Sequence, residues 1–382
     1  MTISRRVFLQ SSALGAAATA LASPMAADVG RFRPHRANPA PLRILVLGGT
    51  GFIGPHMVQR ALDRGHTVTL FNRGRTNTHL FPSVEKLVGD RNGQLDALRG
   101  YTWDVVIGNS GYVPRHVRDS AELLKGSVGH YFYTSTTDAY RDYLTAGIDE
   151  SYPLATLPES DATSEDPRTY YGPLKALCER AVRDVYPDRF TVMRPGWIVG
   201  PGDNNHLFTY WPVRVDRGGE VLAPGTPDDP MQVIDVRDLA EWVVHMVETA
   251  EKGSYNAVGP IMTMAEMLYG CRAVTSAAVS FTWVDADFLW SHGVRPWTDM
   301  PIWWPPRNDY AEPTFGGITG GIGALNLDGS LARSKGLTHR PLATTAKDTL
   351  DWYWGQFTNW PDQRPGLSPA REIEVLAAWH AR

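Results

Sequence analysis

The chain has 382 residues, of which 43% are hydrophobic and 20% are charged, and its net charge is -4. This is the composition of a soluble globular protein, long enough for one large α/β domain with a lobe or for two domains. Lys and Arg form no long basic face, which argues against a nucleic-acid partner. The histidines are scattered without ligand spacing, so we predict no metal site; Cys178 and Cys271 could pair only in an oxidising compartment.

The first residues read as a targeting signal and not as part of the fold. Arg5 and Arg6 precede Val-Phe-Leu, a mildly apolar run and small residues up to Ala27, which is the pattern of a twin-arginine export signal. An N-terminal helix or membrane anchor is the alternative, but the apolar run is shorter than the roughly 20 residues that span a bilayer. We expect a signal peptide over 1–27, a linker over 28–41, and a periplasmic or secreted protein exported by the twin-arginine machinery, with no stable membrane span.

From Leu42 onward, short apolar runs alternate with helical patterns. The predicted strands are RILVLGG, HTVTLFNR, EKLVGD, WDVVIGNS and HYFYTST. The predicted helices between them are FIGPHMVQRALDRG, GQLDALRG and VRDSAELLKGSV. This alternation predicts an α/β fold with a doubly wound parallel sheet, a Rossmann domain over 42–200.

The alternation loosens after Ala139 into a loop rich in Pro, Ser and acidic residues. A helix over about 171–185 and a strand in FTVMRPGWIVG follow, and 202–230 shows few regular elements. MQVIDVRDLAEWVVHMVE reads as a strand and a helix that return to the Rossmann domain over 231–250. The rest of 201–382 is expected to form a smaller C-terminal substrate-binding lobe, with helices near 345–356 and 369–380.

A glycine-rich turn separates the first strand from the first helix. Its residues are Gly48, Gly49, Thr50, Gly51, Phe52, Ile53 and Gly54. Glycines at this spacing permit a tight turn, close approach of the backbone to a pyrophosphate, and close packing of helix on strand. An ordinary βα turn is the alternative, but its position at the first βα junction predicts a dinucleotide site.

The end of the second strand bears on which dinucleotide is bound. An acidic residue there would accept hydrogen bonds from the ribose of NAD, whereas this chain has Asn72, Arg73 and Arg75. Guanidinium groups suit a 2′-phosphate, which favours NADP over NAD. Asp90, after the third strand, is placed to accept from the adenine amino group.

Several motifs carry a family resemblance. ILVLGGTGFIG, GDRN, YFYTSTTDAY, YGPLKA, MRPGWIVGPGD and IDVRDLA occur in the order seen in extended short-chain dehydrogenases/reductases. Over about residues 42 to 260 the chain resembles the NAD-dependent epimerase/dehydratase family. The resemblance implies a Rossmann domain, a C-terminal substrate lobe, hydride transfer and a homodimer, and it places Arg91, Asn109 and Pro195 beside the cofactor.

The same resemblance implies the catalytic residues. Tyr171 would be the acid–base residue and Lys175 its partner, since the residue four positions after Tyr170 is a leucine. Side chains four residues apart share a helical face, so the ammonium, together with the positive charge of the oxidised nicotinamide, is expected to lower the pKa of the tyrosine. Thr136 would bond the substrate oxygen, with Ser135 and Thr137 as neighbours of less defined role.

The substrate region departs from the nucleotide-sugar members of the family. Those enzymes carry a diphosphate-binding arginine where this chain has Met231, although Arg214, Arg217 or Arg237 could substitute. Trp197 offers a flat face that sugars stack on. We therefore expect a free sugar, glycoside or polyol as substrate.

Export restricts the reaction as well. Outside the cytoplasm no nicotinamide pool exists, so the cofactor should be loaded before export, stay tightly bound and be restored in each cycle. This favours an epimerase, or an oxidoreductase that passes hydride between two small substrates. The alternatives are an ordinary cytoplasmic NADP-dependent reductase and a non-catalytic dinucleotide- or RNA-binding scaffold.

Overall fold

The computed structural model describes residues 40–310, 319–359 and 365–382. The predicted signal peptide over 1–27 and nearly all of the predicted linker lie outside these residues. Within the described ranges, no helix is both long and apolar enough to cross a membrane.

The secondary structure follows the alternation that the sequence predicts up to residue 200. The strands are β1 (Arg43–Leu47), β2 (Thr67–Asn72), β3 (Glu85–Val88), β4 (Trp103–Gly108), β5 (Val128–Thr134), β6 (Phe190–Pro195), β7 (Trp197–Val199), β8 (Gly219–Pro224), β9 (Pro230–Asp235), β10 (Gly253–Ala257), β11 (Ile261–Thr263) and β12 (Val279–Val284). The helices are α1 (Ile53–Asp63), α2 (Pro114–Leu124), α3 (Tyr171–Val185), α4 (Tyr210–Asp216), α5 (Val236–Thr249), α6 (Met264–Arg272), α7 (Ala286–Ser291), α8 (Ser330–Ser334), α9 (Leu342–Gln356) and α10 (Pro369–His380).

The main sheet has seven parallel strands in the order β10-β6-β5-β4-β1-β2-β3. Its central strands are buried on both faces, and for this reason β1 reads as an almost uninterrupted apolar run. Ile44 and Val46 pack with α1 and α5, whereas Leu45 and Leu47 pack with α2 and α3 on the opposite face. The strand order reverses between β1 and β4, which opens a crevice at the carboxyl ends of the strands.

The C-terminal part of the chain is more regular than the sequence indicates. Strand β9 lies between β7 and β11 in a three-stranded sheet, and β8 pairs with β12 in parallel. Helix α4 and strand β8 occupy the stretch 202–230, where few elements were expected. Trp211 and Trp303 are buried in the core of this part, which confirms a filling role for these two aromatic residues.

Other sequence expectations differ from the structure. The stretch GQLDALRG forms only a short 3₁₀ turn over Asp96–Leu98. FTVMRPGWIVG breaks at Gly196 into β6, which joins the main sheet, and β7, which does not. The edge strand β10 has the mixed sequence GSYNA and was not anticipated. Cys178 and Cys271 are both free and buried in separate cores, so they form no disulfide.

Candidate active site

The glycine-rich turn after β1 approaches α1 too closely for a side chain. A Cβ on Gly54 would lie 2.6 Å from the carbonyl carbon of Gly49, so larger residues would force the turn and helix apart. A Cβ on Gly51 would meet no atom within 4 Å, because this residue faces an open cavity. The turn therefore exposes its backbone, and the N–H groups that begin α1, to a bound group.

A cavity of about 800 Å³ lies at the carboxyl ends of the central strands of the main sheet. It brings together most of the residues singled out from the sequence: Gly48, Thr50, Gly51, Phe52, Ile53, Asn72, Arg73, Arg75, Asp90, Arg91, Asn109, Ser135, Thr136, Thr137, Tyr171, Lys175, Pro195 and Trp197. Gly54 is not on its surface, because that residue packs against Gly49 behind the turn.

Two features of the cavity wall fit a bound dinucleotide. The Asn109 amide donates from Nδ2 to the carbonyl of Gly48 at 2.9 Å, and its buried Oδ1 has no partner among the described residues. Arg73 and Arg75 are exposed on the wall, and neither forms an ion pair within the part of the chain that the structure describes. An unused acceptor and two uncommitted cations suit the donor groups and the phosphates of a dinucleotide.

The remaining predicted cofactor residues are partly committed to the protein. Asn72 Oδ1 accepts from the Gly74 N–H at 2.9 Å, which shapes the turn after β2. Asp90 Oδ1 accepts from the Asn92 N–H at 3.0 Å. Arg91 donates to Ser110 Oγ at 2.6 Å, and burial lowers the pKa of its guanidinium. Arg91 thus stabilises the cavity wall through its hydrogen bond to Ser110.

Lys175 is held deep in the wall by backbone groups. Its Nζ donates to the carbonyl oxygens of Gly111 at 2.9 Å and Thr134 at 2.6 Å, and it lies 4.5 Å from the centre of the Tyr133 ring. The side chain is 2% exposed, and this burial lowers the pKa of Lys175 to about 8. The ammonium is therefore fixed in position one helical turn after Tyr171.

Tyr171 is the first residue of α3, and it lies beside Thr136 at the end of β5. Burial raises the pKa of Tyr171, and the Asp138 carboxylate raises it further, whereas a hydrogen bond with Thr136 lowers it. The sequence-based expectation is that Lys175 and the oxidised nicotinamide together lower this pKa, and the protein groups around Tyr171 by themselves favour the protonated phenol. Tyr171 is thus positioned to donate a proton. An additional positive charge in the cavity would lower its pKa and favour the ionised form.

Asp138 and Asp203 line the cavity, and the sequence reasoning missed both. Asp138 accepts from the Tyr143 hydroxyl at 2.7 Å, and its backbone N–H donates to Thr136 Oγ1 at 3.1 Å. Burial raises the pKa of each carboxyl to about 6. Asp138 stands two residues after Thr136, and Asp203 ends the GPGD stretch, so both lay within motifs already singled out.

The neighbours of Thr136 have structural partners. Ser135 Oγ donates to the buried Glu179 carboxylate at 2.6 Å, and Thr137 Oγ1 accepts from Tyr143 at 3.2 Å. Trp197 lines the cavity and packs against Trp297. Among these three side chains, only that of Trp197 forms no hydrogen bond with the described residues.

The three arginines considered as diphosphate ligands do not line the cavity. Arg214 is buried in an ion pair with Glu372 at 2.6 Å, and Arg237 pairs with Asp235 at 2.7 Å. Met231, at the position that the nucleotide-sugar enzymes give to arginine, is fully buried in the lobe core. The expectation that one of these arginines could substitute was therefore wrong.

Comparison with known proteins identifies the family. The NAD dependent epimerase/dehydratase family model matches residues 44–258, more than half of the chain. The chain belongs to this family. Membership confirms the predicted Rossmann fold, the oxidoreductase-type enzyme class and the dependence on a nicotinamide dinucleotide.

Individual relatives of this family member are distant. It is 25% identical to a dTDP-4-dehydrorhamnose reductase of Streptomyces griseus, over 56% of this chain and 70% of the relative. It is also 25% identical to the chloroplast stem-loop binding protein of 41 kDa b of Arabidopsis thaliana, over 57% and 58%. In fold it is similar to the UDP-N-acetylglucosamine 4-epimerase of Bacillus cereus, with a TM-score of 0.58, 16% identity, and coverage of 81% and 98%.

Proposed function

We propose that the protein is an NADP-dependent epimerase or oxidoreductase of a free sugar, glycoside or polyol, with a tightly bound cofactor that is restored in each cycle. The observation that carries this proposal is the convergence of Thr136, Tyr171 and Lys175 on the same cavity as the glycine-rich turn. If Tyr171 and Lys175 had only a structural role, they would not need to line a crevice large enough for a dinucleotide.

The side chains divide the acid–base work. Tyr171 exchanges a proton with the substrate oxygen, and Thr136, bonded to it, orients that oxygen. Lys175 keeps its charge beside the pair because two carbonyl groups fix its ammonium. A nicotinamide dinucleotide held by the glycine-rich turn and by Arg73 and Arg75 would supply the hydride chemistry, and its positive charge when oxidised would favour ionisation of Tyr171.

The preference for NADP rests on Arg73 and Arg75. Both guanidinium groups lie at the end of β2 on the cavity wall, and neither is neutralised by a carboxylate among the described residues. A 2′-phosphate would engage them through charge-assisted hydrogen bonds, whereas the hydroxyl of NAD would leave two like charges without a partner.

The substrate class rests on the part of the cavity lining that follows β6 in the chain. Its residues include Trp197, Asp203, Asn205, Leu207 and Ile302. Among the described residues, this part of the lining has no Arg or Lys side chain to bind a diphosphate. Carboxyl and amide groups beside an indole ring are suited to the hydroxyls and C–H faces of a neutral sugar or polyol.

Retention of the cofactor follows from the proposed export. The twin-arginine pattern at Arg5 and Arg6 precedes a complete catalytic set, and a folded protein can be exported with its cofactor loaded. The runner-up is a cytoplasmic NADP-dependent reductase. A reporter fused to residues 1–30 should reach the periplasm, and replacing both arginines by lysine should stop it; export that is indifferent to the arginines would favour the runner-up.

The central experiment identifies the cofactor and then the substrate. Purified protein is denatured, and mass spectrometry of the released small molecules should find near-stoichiometric NADP. The native protein is then offered free hexoses, methyl glycosides, polyols and UDP-sugars without added cofactor, and chromatography of the products measures turnover. Tyr171→Phe should lower the rate at least about 100-fold while retaining the dinucleotide.

Two results would count against this function. An empty protein that binds dinucleotides only weakly would contradict retention, and turnover of UDP-sugars alone would contradict the substrate class. Equal rates for Tyr171→Phe and the wild type would remove the catalytic assignment.

A second candidate function is RNA binding, because one of the relatives is a stem-loop binding protein. The net charge of -4 opposes binding of a polyanion. Fluorescence anisotropy with a labelled RNA stem-loop at 50 and 200 mM salt separates the two functions. Salt-sensitive binding below micromolar concentration would favour the RNA-binding function.

A further inference from the structure

The segment that joins β2 to β3, residues 73–84, forms one wall of the cavity and is called the strap below. Arg73, Arg75 and Thr76 line the cavity from this segment. The strap is irregular, and residues 73–79 are exposed. Its position over the crevice is therefore determined by a few attachments and not by a core of its own.

One attachment crosses from the strap to the glycine-rich turn. Asn77 Nδ2 donates to the carbonyl oxygen of Thr50 at 2.9 Å. Asn77 has a left-handed backbone with φ of 46°, a conformation that asparagine tolerates better than most residues. Thr50 is only 6% exposed, so the strap is tied to a fixed point on the neighbouring glycine-rich turn.

The ends of the strap are anchored without Asn77. At the start, the Gly74 N–H donates to Asn72 Oδ1, and later Lys86 Nζ donates to the Thr78 carbonyl at 2.9 Å. Phe81 packs against the core that α1 and α5 share. Loss of the Asn77 amide would therefore detach the strap from the glycine-rich turn, while Gly74, Thr78 and Phe81 keep their own attachments.

We propose that Asn77 is a cofactor-retention residue, whose amide holds the strap closed across the adenosine end of the dinucleotide site. A dinucleotide held between the glycine-rich turn and Arg73 and Arg75 is released more readily when these two segments separate. The Asn77–Thr50 bond joins the two segments and so opposes release. This inference rests on the proposed dinucleotide function and adds a residue that controls how long the cofactor stays.

The test measures dissociation of NADPH from the full-length protein, without any substrate. Bound NADPH fluorescence is followed after mixing with excess NADP, in the wild type and in Asn77→Gly. Glycine keeps the left-handed backbone accessible and removes the side chain with its amide, at the cost of added backbone freedom. Loss of one hydrogen bond should raise the dissociation rate about two- to tenfold, because such changes act mainly on release.

A matched control separates the hydrogen bond from strap flexibility. His79→Gly adds the same backbone freedom at an exposed position of the strap and keeps the Asn77 amide, so its dissociation rate should stay within about twofold of the wild type. Equal rates for Asn77→Gly and the wild type, or equal acceleration by both glycine variants, would overturn the inference. Fast loss of NADPH from the wild type itself would instead contradict the proposed tight binding, and the comparison of the two variants would still be decisive for Asn77.

Discussion

A buried ion pair behind the catalytic residues offers the sharpest test of the structure. Glu179 is fully buried and Arg194 is 2% exposed, and the guanidinium binds the carboxylate through Nε at 2.9 Å and Nη2 at 2.8 Å. Arg194→Met would leave the carboxylate with Ser135 and Arg183 as partners. Removing one partner of a buried pair costs about 3–5 kcal/mol, and the remaining contacts favour the lower value.

The expected size can be expressed as a melting shift. A body of roughly 340 residues unfolds with an entropy of about 0.7 kcal/mol/K, so 3–5 kcal/mol corresponds to about 4–7 °C. Calorimetry measures this shift, and urea titration gives the free energy of unfolding separately. The dissociation rate of NADPH should also change, because Ser135 adjoins Thr136 and depends on Glu179.

The control variant removes the negative charge of Glu179 as well as its partner Arg194. In the double variant Glu179→Gln/Arg194→Met no buried carboxylate is left unpaired, and the amide oxygen can still accept from Ser135. This variant should recover at least half of the stability that Arg194→Met loses. A loss below about 1 kcal/mol for the single variant, or a double variant no more stable than the single one, would refute the reasoning.

The remaining predictions concern the cavity wall. Gly54→Ala should destabilise the fold by about 1–3 kcal/mol and weaken NADPH binding, because its Cβ would overlap the Gly49 backbone; an unchanged melting temperature would contradict the packing. Arg75→Gln should weaken NADP binding about tenfold and leave NAD binding within about twofold, as measured by calorimetric titration; equal losses would argue against a 2′-phosphate site. The pKa of Asp138 is raised from 3.8 to about 6 in the fold by burial, so ionisation destabilises the native state as pH rises through this window. Asp138→Asn should therefore gain melting temperature relative to the wild type between pH 4 and 7, and a constant difference would contradict the burial of the carboxyl.

Periodicity was sufficient to predict the first half of the fold. Strand β1 reads as a continuous apolar run because α1 and α2 cover both of its faces. The glycine spacing placed the dinucleotide site at the same edge, where the cavity lies. These features depend on local sequence and on burial, and both are visible in a single chain.

Other features depend on tertiary contacts that the sequence pattern does not contain. Strand β10 reads as polar because Asn256 is buried by hydrogen bonds to the carbonyl groups of Ile148 and Asp328, and not by apolar packing. The environment of Asp138 depends on Tyr143, whose hydroxyl meets the carboxyl only after the loop folds back. The ion pair between Arg214 and Glu372 joins residues that are 158 positions apart, and no local motif could indicate such a contact.

The edge strand β10 has a consequence for synthesis of the chain. Strand β6 pairs with β5 on one side and β10 on the other, and the segment between them in sequence forms β7, β8 and β9 in other sheets. A nascent chain therefore cannot complete the main sheet until residue 257 has left the ribosome. A fragment ending near residue 200 would expose the fully buried strand β6 as an unpaired edge. Unpaired strand edges promote aggregation, and pairing with β10 removes this one.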